Sequence, residues 1–342
     1  MEIITTRTQY VHDFLMRAGW AEASRTPLAS DASNRRYSRL VRGDGTSAVL
    51  MDAPPTNGQS ILPFVTVAAH LAGIGLSAPH IIAQDEQSGF LLLEDMGDDL
   101  FARLLASRQA SEETLYSAAV DVLTHLHESK SLSVAPYDAE FMTPLAALAY
   151  DWYQFGATGL VDEDTKGQFA EAFHKLLKPL DAQQVLIQRD YHAENLLWLP
   201  QRDGPARVGL LDFQDAMLGH PAYDLVSVLQ DARRDVSKRI EYEMVTRFLS
   251  QNQHDADAFK AAYAILGTQR NLRILGGFSR LCLRDGKAQY IDLLPRVWNH
   301  VMTNLKHPVL DEVAGFITDC LPPPTPEILK TLRSKCATCR DR

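Results

Sequence analysis

With 342 residues, the chain is longer than one compact core usually grows, which leads to the expectation of two lobes. A hydrophobic fraction of 46% and a charged fraction of 23% exclude a disordered chain, a collagen-like chain and a small disulfide-stapled scaffold. Thirty-four Lys and Arg against 43 Asp and Glu give a formal net charge of -9, which opposes nonspecific binding to nucleic acid or to an anionic membrane surface.

The opening MEIITTRTQY has no basic segment followed by an apolar stretch, and no run of about 18 uninterrupted apolar residues occurs, so neither export nor membrane spanning is expected. A cytoplasmic protein without nucleic-acid or membrane partners is the expectation, and no protein partner is indicated. Residues 26–53 read as strand, polar loop, strand, tight turn, strand, with Gly43-Asp44-Gly45 supplying the turn and Ala48, Val49, Leu50 and Met51 an apolar strand. Residues 58–73 place Ile61, Leu62, Phe64, Val65, Ala68, Leu71 and Ala72 near one helical face. A second hairpin follows as PHIIAQ, a DEQSG turn and FLLLED.

Beyond Gly97 the periods become helical, as in LYSAAVDVLTHLHE with its stripe of Leu115, Ala118, Ala119, Val122, Leu123 and Leu126. The sequence therefore predicts an α+β chain: a β-rich lobe over 1–95 with a five-stranded antiparallel sheet and one helix, then a mostly helical lobe over 96–342. Only QQVLIQRD and RVGLLDF interrupt the helical part with β-like runs, and each ends in Asp. The four cysteines, Cys282, Cys320, Cys336 and Cys339, are too few and too unevenly spaced for a disulfide framework. CATC at the end reads as half a zinc site, a redox pair, or simply reduced thiols on a tail.

The segment IQRDYHAENLLW sets Asp190 five residues before Asn195, and Asp212 follows 17 residues later at the end of VGLLDF. One carboxylate able to take a hydroxyl proton, followed by an amide oxygen and a second carboxylate as hard ligands, is what phosphoryl transfer from a magnesium nucleotide requires. Taken alone, the spacing also fits a turn Asp and a capping Asn.

The stretch after Asp212, DFQDAMLGHPAYDL, removes that ambiguity. Together the two motifs resemble the aminoglycoside phosphotransferase and choline kinase group of protein-kinase-like phosphotransferases. Asp190, His192 and Asn195 meet its Asp-x-x-His-x-x-Asn pattern with a one-residue gap before His192, and Asp212, Gly219, Pro221, Tyr223, Asp224 and Leu225 meet its second pattern. The resemblance implies a two-lobe kinase-like fold, ATP and Mg2+ as cofactors, Asp190 as catalytic base, and Asn195 and Asp212 as metal ligands. It implies that LLLEDMG joins the lobes through a linker at 94–98, with the backbone at Glu94, Asp95 and Met96 holding adenine. Asp224 is expected to tie the Gly-His-Pro turn to the catalytic loop. His192 either orients that loop or packs within it, and Glu194 is a further substrate candidate.

Three departures from the group stand out. Met51 occupies the position of the strand-3 Lys, and the helix within 58–73 has no Glu to pair with one. DASNRRY replaces the glycine-rich loop, so Ser33, Asn34, Arg35 or Arg36 is expected over the phosphates, Arg through a bidentate fork; the alternative for Arg35 and Arg36 is a solvated hairpin edge. Gln188 stands where many relatives carry His. Within the group, VLMDAPP, RDYHAENLLWL and QRNLRILGGFSRLCLRDGK look most like bacterial kinases of cell-wall recycling that phosphorylate the anomeric hydroxyl of the amino sugars N-acetylmuramate and N-acetylglucosamine, a subgroup in which Met replaces that Lys. Arg270, Arg273 and Arg280 are candidates for the lactyl carboxylate of N-acetylmuramate, against the alternative of surface arginines paired with Asp285 or Asp292. Rival functions are a kinase of the same fold acting on an aminoglycoside or choline, and a catalytically silent nucleotide-binding module.

Overall fold

The computed structural model describes residues 2–28, 35–55, 58 and 60–340. It divides into two compact units, residues 1–110 with 194–215, and residues 111–193 with 216–342.

The first unit is built on the expected five-stranded antiparallel sheet. Strands β1 (Ser24–Leu28), β2 (Arg36–Val41), β3 (Ser47–Asp52), β4 (Ile81–Asp85) and β5 (Phe90–Glu94) lie in the order β1-β2-β3-β5-β4. Gly45 turns the β2–β3 hairpin at φ +86°, a conformation that glycine adopts without steric cost. An additional helix, α1 (Glu2–Arg17), packs Val11, Phe14 and Leu15 against Leu40, Ala48, Leu50, Phe90 and Leu92. It stops at Gly19, φ +74°, where the Gly19 and Trp20 amides donate to the Met16 and Leu15 carbonyls, the double hydrogen bond of a Schellman end. Arg7 fixes the helix to the sheet: its guanidinium lies 4.0 Å over the Phe90 ring and donates to Asp52 at 2.5 Å.

Because strand residues alternate between faces, Met51 and Leu91, partners across β3 and β5 and both fully buried, belong to the face opposite Leu50 and Leu92. Met51 is thus a core residue. Helix α2 (Leu62–Gly73) buries Phe64, Val67, Ala68 and Leu71.

Helices dominate the second unit, together with the two-stranded pair β6 (Val185–Ile187) and its later partner at 217–219. The helix Glu112–Glu128 is N-capped by Ser111, whose hydroxyl accepts from the Thr114 amide. The long helix Ala256–Leu283 runs with buried residues on most of its circumference, so even its polar segment Thr268-Gln269-Arg270-Asn271 lies inside. The tail docks on the end of that helix, Ala337 donating to the Cys282 carbonyl and Cys339 to that of Leu283, each at 3.0 Å. Burial pushes the Cys282 thiol up to about 12, and among the described residues no group of three or more His, Cys, Asp or Glu is arranged to hold a metal. No described helix is long and apolar enough to cross a membrane.

Close helix packing makes one glycine indispensable. A Cβ at Gly276 would lie 2.2 Å from the backbone carbon of Leu148, whereas one at neighbouring Gly277 would meet nothing within 4 Å. Gly276→Ala is expected to lower unfolding stability by at least about 2 kcal/mol through overpacking, and Gly277→Ala to leave it unchanged or raise it by up to about 1 kcal/mol through helix propensity. Urea denaturation of the two variants checks this; equal effects contradict the packing.

Candidate active site

In the first unit, β7 (Leu196–Trp198) and β8 (Val208–Leu210) form a short antiparallel ribbon. The Leu211 amide donates to the Asn195 carbonyl at 3.0 Å, so Asn195 and Asp212 emerge together at one end of the ribbon. Asp212 is exposed and takes a left-handed conformation, φ +55°; its Oδ1 accepts from Gln214 Nε2 at 2.8 Å. The next residue, Phe213, is fully buried and packs its ring 4.8 Å from that of Phe64 on α2. An apolar anchor directly after the carboxylate therefore sets where Asp212 projects.

Arg35 reaches the same neighbourhood. Its guanidinium donates to the Tyr37 hydroxyl, and Tyr37, raised by burial, is lowered by Arg35 and raised again by the Asp212 charge. Arg36, one position along and hence on the opposite strand face, is exposed. Ser33 and Asn34 lie outside the described residues.

The segment proposed for adenine is rigidly held. Arg39 pairs with Asp95 at 2.7 Å and with Asp98 at 2.8 Å, and Asp95 Oδ1 also accepts from the Gly97 amide at 3.1 Å. Glu94 pairs with Arg202 at 2.5 Å, and its own amide donates to the His80 carbonyl at 2.8 Å. Met96 lies over Gly209, where an added Cβ would come within 3.3 Å of its Cε. Side chains at 94 and 95 are thus committed to holding the segment.

The second unit carries the catalytic loop. It leaves β6, which pairs with β9 (Met217–Gly219), and folds over Asp224. That carboxylate, fully buried, accepts the Gln188 amide at 2.6 Å and the Arg189 amide at 2.9 Å. The two bonds hold Arg189 at φ +71°, a region that non-glycine residues occupy only when their surroundings impose it. Tyr191 secures the other side of Asp190 by donating to the Ala119 carbonyl at 2.8 Å.

Asp190 lies 3.3 Å from Arg273, with 33% of its side chain exposed. Burial works to raise its carboxyl, but Arg273, His192, Arg270 and Arg189 outweigh that and keep it below the usual carboxylate range. Burial also opposes the charge of Arg273, which Tyr223, Tyr137 and Asp190 nevertheless drive upward. His192 is buried and pushed down to about 4 by desolvation, so it is neutral at neutral pH. Arg270 is 3% exposed. Arg280 instead sits with Arg284 and Asp285, and Arg284 pairs with Asp285 at 2.7 Å. Glu194 is exposed on the single turn Ala193–Asn195. The structure therefore gathers Arg270 and Arg273 at Asp190 and leaves Arg280 with a surface ion pair.

The sequence matches the phosphotransferase enzyme family over residues 24–264. N-acetylmuramate/N-acetylglucosamine kinases of Caulobacter vibrioides and Pseudomonas aeruginosa are 37% and 32% identical to it, covering 90% and 89% of this chain and 95% and 92% of theirs. Choline kinase LicA from Streptococcus pneumoniae has a similar fold, with a TM-score of 0.61 at 13% identity over 86% of this chain and 99% of that one.

Burial pushes Asp224 up to about 7, against the pull of its two amide donors. A carboxyl whose folded value exceeds its unfolded one retains its proton longer in the native state, so its contribution to stability declines as pH rises from about 4 through 7. Asp224→Asn, which does not titrate, is expected to be destabilised more relative to wild type at pH 5 than at pH 8. Denaturation at the two pH values checks this; a gap that grows with pH contradicts it.

Proposed function

Because the chain belongs to the phosphotransferase enzyme family, we propose that it transfers the γ-phosphoryl group of ATP to the anomeric hydroxyl of N-acetylmuramate and N-acetylglucosamine, sugars released in cell-wall recycling. The state of Asp190 carries this reading: an ionised carboxylate at 3.3 Å from Arg273, on a loop locked from beneath by Asp224. The choice of acceptor rests on the two nearly full-length relatives.

Asp190 is the base. As the sugar oxygen bonds to the γ-phosphorus and the bond to the β–γ bridging oxygen breaks, the hydroxyl proton passes to an Asp190 carboxylate oxygen and ADP leaves. A carboxylate held below its usual range is a weak base, and it suits a nucleophile that ionises readily. The anomeric hydroxyl is the most acidic of a sugar because the ring oxygen withdraws electron density from its carbon. A loose transition state, in which the proton leaves late, further relaxes the demand on the base.

Asn195 and Asp212 are suited to magnesium: they offer two hard oxygen donors at one end of a ribbon, and Mg2+ is usually held by one or two protein ligands with phosphates and water completing its shell. When bound, the ion neutralises charge on the phosphates. With Met51 in the core, Arg35 is the cation we assign to the nucleotide phosphates, and the backbone between Glu94 and Met96 to adenine. A supply of ATP makes the cytoplasm the expected location.

A magnesium-dependent ADP-release assay over amino sugars, choline and an aminoglycoside tests the reading. Turnover of N-acetylmuramate and N-acetylglucosamine is expected, and turnover of the cations alone, or of nothing, overturns it. Asp190→Asn is expected to retain ATP binding and lose about 100- to 10,000-fold in turnover; near-normal turnover removes it from the mechanism. Arg35→Ala is expected to raise the ATP KM by about tenfold or more through loss of a charged phosphate contact, while Arg36→Ala stays near wild type. Equal effects in steady-state kinetics exclude the Arg35 assignment.

A further inference from the structure

Three arginines meet at Asp190. Arg189 precedes it in the chain, Arg273 lies 3.3 Å from its Oδ1, and Arg270 is one helical turn from Arg273 on the long helix Ala256–Leu283. In a chain of net charge -9, positive charge gathered at the base favours an anionic acceptor over a cationic one. The three differ in what they offer. Arg270 is 3% exposed, and Arg273 is engaged with the base itself. Arg189 is half-buried and lies beside open aromatic surface.

That surface is firmly built. The Tyr137 amide donates to the Leu218 carbonyl at 2.6 Å, and its hydroxyl lies 3.1 Å from that of Tyr223. Phe141 stands in the first turn of the helix Ala139–Leu148, where its amide donates to the capping Asp138 at 3.0 Å. The two rings lie 5.3 Å apart. Tyr137 is buried, whereas Phe141 is 41% exposed. Over them sits the Arg189 guanidinium, its central carbon 5.2 Å from the Tyr137 centroid and 5.9 Å from that of Phe141, both within the range of cation–π attraction. Asp224 fixes the backbone here at φ +71°, so the direction of the Arg189 side chain is as firmly set as that of Asp190.

Stacking on rings occupies the face of a guanidinium, while its N–H groups lie in the plane, where a carboxylate is bound through two parallel hydrogen bonds. N-acetylmuramate differs from N-acetylglucosamine by a lactyl ether on O3, whose carboxylate stands on the far side of that oxygen from the ring. We propose that Arg189, seated on Tyr137 and Phe141, binds this lactyl carboxylate while the neighbouring Asp190 takes the anomeric proton. Adjacent residues thus address the two ends of one sugar. The inference rests on the amino-sugar kinase reading and deepens it: Arg189 is the residue that distinguishes the acidic sugar from the neutral one, in place of Arg270, Arg273 and Arg280.

The test compares N-acetylmuramate with its methyl ester, which keeps the arm and removes the charge, using the full-length wild-type enzyme and Arg189→Gln. Because Arg189 also acts on Asp190, each enzyme is read by its own ratio of kcat/KM for acid over ester, in which an effect on the base cancels. Wild type is expected to favour the acid by about tenfold or more, the scale of a hydrogen bond between charged groups, mainly through sugar KM. Arg189→Gln is expected to treat acid and ester alike. Wild type that does not favour the acid overturns the inference, and so does a folded variant with the wild-type ratio. Should Arg189→Gln fail to fold, Phe141→Ala, a truncation of an exposed ring, is carried through the same comparison. A ratio reduced about threefold, the scale of one cation–π contact, supports the inference, and an unchanged ratio overturns it. Absence of wild-type activity on either amino sugar condemns the kinase reading itself, a result distinct from the others.

Discussion

The pair of hydrogen bonds from the Gln188 and Arg189 amides to the sealed Asp224 carboxylate is the constraint on which the second unit's chemistry depends. Those bonds hold the loop where Arg189 adopts a left-handed backbone, and this conformation determines where the next residue, Asp190, points. Burying a carboxylate is expensive, and here burial raises the Asp224 carboxyl to about 7. A neutral amide of the same shape supplies one acceptor oxygen and two unwanted donors. The second family motif is thus read physically as a platform: β9 pairs with β6, the Gly-His-Pro turn starts a helix, and the first turn of that helix delivers Asp224 beneath the loop.

Charge around Asp190 follows the same logic. Arg270 and Arg273 come from the interior of a long helix, where arginine is rarely found without partners. They keep the Asp190 carboxyl below the usual carboxylate range although part of its side chain is buried, so the base proposed here is a weak one. In the first unit the corresponding cation is not on the central strand, because Met51 is packed into the core. Arg35 lies beside Tyr37 and Asp212 instead. Under the proposed function, an arginine at the edge of a loop takes over the charge of the strand lysine, and the strand position itself becomes an apolar core residue.

Much of this was legible in the sequence, wherever a local pattern determines the outcome. The Gly43-Asp44-Gly45 turn, the five strands and α2 follow from alternation, turn chemistry and a helical stripe, whereas the spacing of Asp190, Asn195 and Asp212 marks them as candidates only and the resemblance to a family suggests their roles. Helix α1 did not announce itself: Ile3, Ile4, Thr5, Thr6 and Thr8 are poor helix formers, and its apolar contacts Val11, Phe14 and Leu15 acquire meaning only against the sheet. Preferring Arg35 to Arg36 in the proposed phosphate role requires knowing where β2 begins, since one residue of register exchanges the two faces. Arg39, which clamps Asp95 and Asp98, gave no local signal at all, because its role depends on partners 56 to 59 residues away.

The central claim is that a weak, permanently ionised base is matched to the acidic anomeric hydroxyl of an amino sugar. Its most direct test is the position of the phosphate. N-acetylglucosamine reduced with borohydride keeps its other hydroxyls but has no anomeric centre. Phosphorus NMR of the product from the parent sugar is expected to show phosphate on carbon 1, with no product from the reduced sugar. Phosphate on carbon 6, or phosphorylation of the reduced sugar as fast as the parent, would contradict the account.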